Sequence, residues 1–280
     1  MEDVLLDAGP SERGWHRLES AARCLRLYAW QHVAGISFPV TEPLVKGSLL
    51  HIGLAHYYER RLLNENGRDK ELILSAPDAV AELAKRRASE TPEPERSLWI
   101  TAAPIIADAV RAYIRHWAYE DSMWKIVSVE EELRAHIAGR LFTQRADLIV
   151  KDSHNKVWIV DHKSCYRIAS KTLNQHILSG QFLGYQMFGR QRYGRDFAGV
   201  IINRIKLSEP YGYDRCTLEP APAALRNFGR QLAHTEDSIE RFEGKPVEEW
   251  PAVFSDQICF GKYGRCPAFD LCQWGHEDAV

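Results

Sequence analysis

Asp147-Leu-Ile-Val-Lys-Asp-Ser-His-Asn-Lys-Val-Trp-Ile-Val-Asp161-His162-Lys163 holds two apolar runs separated by the turn residues Asp152 to Asn155. Asp, Ser and Asn side chains hydrogen-bond their own backbone in turns, so the runs are expected to form a hairpin. A turn centred on His154 sets Asp147 against Asp161, each seven residues from the centre. Facing carboxylates at about 4.5–5.5 Å between Cβ atoms repel, and a divalent cation between them removes the conflict. Alternation with period two puts Lys163 on the face of Asp161 and turns the His162 side chain away, leaving the His162 carbonyl as a further oxygen ligand. Two carboxylates, a carbonyl and water suit Mg²⁺ or Mn²⁺, and an ammonium beside the metal suits activation of a water for attack on a phosphodiester. A surface hairpin with a cross-strand Asp–Lys ion pair uses the same residues, and the Asp-x-Lys string alone does not separate the two.

Outward from the hairpin, β-branched and aromatic runs predict strands over 126–133, 143–150, 157–160 and 199–205. Apolar spacings of three and four predict helices over 16–32, which carries Cys24, and from about Gly47 onward, which carries His51. Further helices are expected over 104–117, 171–192 and 221–242. Residues 64–98 are polar and interrupted by Pro77, Pro92 and Pro94, so 61–122 reads as a helical lid or insertion within one domain, 1–280. The expected fold class is α/β, a central mixed β-sheet flanked by helices.

Composition narrows the function. The chain has 280 residues, 45% hydrophobic and 26% charged, which excludes disorder and collagen. A net charge of −2 gives no global attraction to nucleic acid, so such binding needs a local basic groove. No apolar run approaches the roughly 18 residues of a membrane span, and the acidic N-terminus lacks the plan of a signal peptide. A cytoplasmic protein is therefore expected, and six cysteines there favour metal, cluster or core roles over disulfides. Cys165 and Cys216 are isolated and read as buried small hydrophobes, whereas Cys259, Cys266 and Cys272 fall close together.

The order Gly47-Ser-Leu-Leu-His51, Glu130 in Val-Glu-Glu-Glu-Leu, Asp147, Asp161-His-Lys163 and Gln181-Phe-Leu-Gly-Tyr185 resembles the RecB-like branch of the PD-(D/E)XK nuclease superfamily. That branch includes bacterial recombination nucleases, the CRISPR adaptation nuclease and phage exonucleases, and the resemblance runs from about Cys24 to Cys272. It implies a restriction-endonuclease-like core. It also implies His51, Asp147 and Asp161 as metal ligands with the His162 carbonyl, Lys163 as the catalytic lysine, and Glu130 at a supporting acidic position. Asp161 stands where many relatives have Glu. Gln181 and Tyr185, four apart on one helical face, would touch the DNA backbone or order the active site, and Lys171, Arg190, Arg192 and Arg195 could add phosphate contacts.

The terminal segment 255–275, with Cys259, Cys266 and Cys272, is similar, together with Cys24, to the [4Fe–4S] arrangement of iron–sulfur members of that branch. A four-cysteine Zn²⁺ site has the same ligand count, but spacings of six and five residues favour the cluster. The expected protein is thus a metal-dependent DNA nuclease, an exonuclease on single-stranded or end-containing DNA in recombination, repair or CRISPR adaptation, with other subunits of such a complex as candidate partners. The rival is a cluster- or zinc-stabilised DNA-binding subunit without catalysis, against which stand the intact His51, Asp147, Asp161 and Lys163. An oxidoreductase would need a nucleotide or flavin fingerprint that the chain lacks.

Overall fold

A computed structural model describes residues 5–70, 73–261 and 264–275. In chain order the elements that position the site are α1 (Trp15–Arg23), α2 (Leu25–Tyr28), α3 (Glu42–Glu65), α4 (Ala76–Glu90), α5 (Glu95–Ser122), β1 (Lys125–Ile137), β2 (Arg140–Lys151), β3 (Val157–Cys165), α6 (Ser170–Ile177), α7 (Gly180–Tyr193), β4 (Phe197–Lys206), β5 (Gly212–Leu218), α8 (Pro222–Phe242), α9 (Asp256–Cys259) and α10 (Phe269–Trp274). The first five strands form one sheet in the order β1-β2-β3-β4-β5. Only β3 and β4 run parallel, and a parallel pair needs a crossover, supplied by α6 and α7. The fold is α/β, a mixed sheet flanked by helices, as expected.

The hairpin forms with the register that a turn centred on His154 requires, from Leu148↔Val160 to Lys151↔Val157. Asp152 closes it, its carboxylate accepting from the backbone N–H of His154 at 2.8 Å and of Lys156 at 2.9 Å. Asn155 takes the left-handed conformation that turns tolerate. Alternate residues then feed two cores. Ile149, Ile159 and Val200 face α1, α7 and α8, while Leu148, Val150 and Val160 face α3, α4 and α5.

The structure departs from the sequence expectations at the helices. The helix expected over 16–32 breaks at Cys24, whose backbone is extended (φ −163°, ψ 119°) before α2 and a π-helical turn resume. Pro77, which reads as a breaker, stands instead at the start of α4, as Pro43 does in α3, where a missing N–H costs no hydrogen bond. The helix expected over 171–192 divides into α6 and α7, and β5 was not anticipated. Contrary to the expectation from hydropathy, α5 is long and apolar enough by length and composition to cross a membrane. Its Trp99, Ile106, Val110 and Tyr113 are buried in the core shared with the sheet.

Candidate active site

Three adjacent strands, β1, β2 and β3, and helix α3 converge at the site. β1 pairs with β2 through Val129↔Leu148 and Glu131↔Ala146, which sets Glu130 opposite Asp147. Glu130 sits at φ 49°, uncommon for a residue with a Cβ, and Arg145 Nη1 holds it by donating to its carbonyl at 2.7 Å. From α3, His51 brings Nδ1 to 3.3 Å from Asp147 Oδ2. One donor atom each from His51, Glu130 and Asp147 lie within 4.8 Å of one another. On β3, Asp161 is fully buried, with Lys163 Nζ 2.8 Å from its Oδ2. Asp161 Oδ1 accepts from Gln181 Nε2 at 2.9 Å and lies 3.2 Å from the Tyr185 hydroxyl.

Beyond Leu148↔Val160 the β2–β3 ladder gives way, and the backbone N–H of His162 donates to Asp147 Oδ2 at 2.7 Å. N–H and C=O of one strand residue point to the same side, so the His162 carbonyl is turned toward Asp147 as well.

The ionisable groups at this site shift one another strongly. Burial and the neighbouring Asp147 push Glu130 up to about 8. Burial works against a charge on His51, but the Asp147 carboxylate outweighs it and brings the imidazole up to about 9. Asp147, despite its burial, is held below the usual carboxylate range by His51 and then by Lys163. Lys163 overcomes its burial through Asp161 and stays an ammonium. Three carboxyl groups thus share a buried space with His51 and Lys163, Glu130 relieving the crowding by keeping its proton up to about pH 8, and a hard divalent cation would displace the protons of Glu130 and His51.

A profile of the PD-(D/E)XK nuclease superfamily matches residues 15–273. The chain belongs to that superfamily. A candidate exonuclease from Eubacterium rectale superposes with a TM-score of 0.54 at 14% identity, covering 93% of this chain and 86% of that one, which is a likeness of fold. The structure of SSO0001 overlaps 55% of this chain and 71% of its own at 15% identity, with a TM-score of 0.30, too distant a superposition to bear on the fold. No curated protein sequence matches the chain.

Nucleases of this superfamily typically work with divalent metals, and His51, Glu130 and Asp147 form a donor set for one. Glu130, expected only in support, stands inside that set, whereas Asp161 lies beside it with its oxygens turned to Lys163, Gln181 and Tyr185. Of the two roles expected for Gln181 and Tyr185, the geometry bears on the ordering one: Tyr185 is fully buried, its hydroxyl 2.7 Å from the Arg145 carbonyl and 3.2 Å from Asp161 Oδ1. In the nuclease α7 packs close on β2. A methyl group at Gly184 would come within 2.3 Å of Gln144 Oε1, and Gln144 Nε2 donates to the Gln181 carbonyl at 2.8 Å.

Of the cations expected to meet phosphate, Arg192 is paired with Glu131 at 2.5 Å, and the Lys171 side chain lies outside the described residues. No motif marked Arg145 or Glu19. Glu19, on α1, is near enough to Lys163 for the two charges to interact. Beside His51 and Glu130 opens a cavity of about 840 Å³, walled by Leu44, Gly47, Arg87 and Trp99.

The other end of α1 leads to the cysteines. Cys24, Cys259, Cys266 and Cys272 line one apolar cavity of about 230 Å³. The Cys24 kink is tied to the C-terminal segment by Arg23 Nη2 on the Ile258 carbonyl at 2.5 Å and by the Arg26 N–H on the Pro251 carbonyl at 3.0 Å. Burial, with Cys24, Cys266 and Cys259 nearby, pushes the Cys272 thiol up. Cys165 and Cys216 lie elsewhere and are half-buried rather than fully buried.

Proposed function

We propose that this nuclease is a metal-dependent deoxyribonuclease of the RecB-like branch, acting in the cytoplasm as an exonuclease on single-stranded or end-containing DNA in recombination, repair or CRISPR adaptation. The observation that carries the reading is the convergence of His51, Glu130 and Asp147 beside the Asp161–Lys163 pair. His51, Glu130 and Asp147, with Asp161 and the His162 carbonyl adjoining, would hold Mg²⁺ or Mn²⁺, which would supply water activation and charge neutralisation at the scissile phosphate. Lys163, kept protonated by Asp161, offers an ammonium to the phosphate oxygens. Gln181 and Tyr185 fix the Asp161 carboxylate so that Lys163 stays in register with it.

In the same reading the chain is one nuclease unit, 1–280, with 61–122 inserted in it. The segment 255–275 is stapled to Cys24 by a [4Fe–4S] cluster on Cys24, Cys259, Cys266 and Cys272. Closing so long a loop costs only logarithmically more than closing a short one. Purified anaerobically, the protein should be brown, with iron and sulfide each about four per chain; stoichiometric zinc on a colourless protein would make it a zinc site.

The deciding assay is incubation with end-labelled single- and double-stranded DNA and Mn²⁺ or Mg²⁺, beside a closed circular control. Linear DNA should be degraded and the circle spared. Equal cleavage of the circle would make the enzyme an endonuclease, and no cleavage of any substrate would leave the DNA-binding subunit as the better account.

A further inference from the structure

His162 lies between the two charged residues of β3, and its ring enters a buried polar network on the far side of the sheet. The parallel register His162↔Asn203 sets these two side chains next to each other. Both are buried, as are Tyr58, Tyr113 and Asp121. The hydrogen bonds run in one direction. Arg215 Nη2 and Asn203 Nδ2 donate to the Tyr113 oxygen at 2.8 and 2.7 Å. The Tyr113 proton is then free for the Tyr58 oxygen at 2.8 Å, and the Tyr58 proton goes to Asp121 Oδ2 at 2.9 Å. Arg215 closes the circuit with Asp121 Oδ1 at 2.7 Å.

With the Tyr113 oxygen thus supplied, the second amide hydrogen of Asn203 meets His162 Nδ1 at 2.8 Å. An amide nitrogen only donates, so Nδ1 carries the lone pair and Nε2 the proton. Tyr58 stacks on the ring at 5.7 Å with planes 4° apart, and Tyr113 meets it edge-on at 6.3 Å. Among the described atoms Nε2 has no hydrogen-bond partner, so within the plane that Tyr58 and Tyr113 set, the Asn203 bond fixes which ring edge faces the network.

We infer that Asn203 is a positioning residue for the metal centre, locking the His162 side chain and so the His162 peptide on which Asp147 rests. This inference relies on the metal-nuclease reading above. The path is short: Asn203 holds the ring, the same residue's N–H holds Asp147 Oδ2, and Asp147 sits between His51 and Glu130. Partners of this kind typically change metal affinity by about 10–100-fold when removed.

Asn203→Leu removes the donor at similar volume, and Asn203→Asp keeps the shape but replaces the donor with an acceptor. Calorimetry on the metal-free protein should show the Kd for Mn²⁺ weakened about tenfold in both, with kcat reduced and the KM for DNA ends unchanged. Leu232→Ala, in the opposite core, gives the baseline: a lower Tm with the Mn²⁺ Kd unchanged. Asn203 variants that lose only Tm, or a Leu232→Ala Kd that shifts equally, would overturn the role. Should neither Asn203 variant fold, ¹⁵N-histidine spectra of the wild type still decide, since a protonated His162 Nδ1 contradicts it. Wild-type protein that neither binds Mn²⁺ nor cleaves DNA would sink the metal-nuclease reading itself, an outcome distinct from a failure of Asn203 alone.

Discussion

Two polar clusters are buried against the same sheet, and they are built on opposite principles. Around Asp121 every charge is answered: Arg215 lies between the rings of Trp117 and Trp124 at 3.9 and 4.2 Å and meets Asp121 and Tyr113 at its tip. Around Asp147 three carboxyl groups crowd together, and burial first, then Asp147, raises Glu130 to about 8. A network built on a permanent ion pair and hydroxyls locks helices to strands, whereas one whose protons a cation can displace is arranged for a ligand. Strongly shifted carboxyl and imidazole groups beside a cavity mark the second cluster as functional.

The contrast breaks most sharply at β3. Asp161→Ala should abolish DNA cleavage while the protein remains folded, and Lys163→Ala should lower kcat by about 10²–10⁴-fold with Mn²⁺ binding largely kept. Full activity in either purified variant would remove them from the centre. The opposite pattern is expected in the Asp121 cluster, where Arg215→Met leaves Asp121 buried without its counter-ion and should cost about 3–5 kcal/mol of stability in urea unfolding. Adding Asp121→Leu should recover much of that loss, because no charge is then stranded. A double variant no more stable than the single one would mean that the network contributes more than its ion pair.

Tyr185→Phe lies on the border between the two kinds of cluster. It deletes a hydroxyl shared by Asp161 Oδ1 and the Arg145 carbonyl, so about 1–3 kcal/mol of stability should go with it. Turnover should fall about tenfold as Asp161 loosens. A weaker DNA affinity with unchanged kcat would instead point to substrate contact.

What the sequence reveals follows from the range of the interactions. The hairpin register is legible because the turn residues and the alternation are local, and Leu148↔Val160 falls where a centre at His154 demands. The prolines misled because their effect depends on position in a helix, which composition does not state. β5 escaped notice because most of its residues are half-buried, which blurs alternation. Its Arg215 reaches Asp121 only through tertiary structure. Glu130 could be named from its order among the motifs, but its left-handed backbone and the Arg145 clamp have no signature in the chain.

The smallest effect expected is in pH dependence, and it separates the clusters without mutation. His51 and Glu130 both have folded-state values above their unfolded ones, about 9 and about 8. A raised group contributes stability that is complete below its unfolded pKa and is lost as pH rises through the folded value. For Glu130 the loss spans roughly pH 4.5 to 8 and for His51 roughly 6.5 to 9, so the two overlap between about 6.5 and 8. Asp147 is shifted the other way, and its contribution is constant across this window. One group alone would set a slope of about 1.4 kcal/mol per pH unit. His51 is 33% exposed and shares Asp147 with Glu130, so about 1 kcal/mol per unit is expected for metal-free protein. Saturating Mn²⁺ binds the deprotonated ligands and should flatten or reverse that slope, releasing protons in a weakly buffered titration. In the other cluster Tyr58 and Tyr113, pushed up by burial, stay protonated across this window, and His162, held down to about 3 by burial, has its contribution complete above about 6.5. A slope unaffected by Mn²⁺ would show that His51 and Glu130 are not the groups meeting the metal.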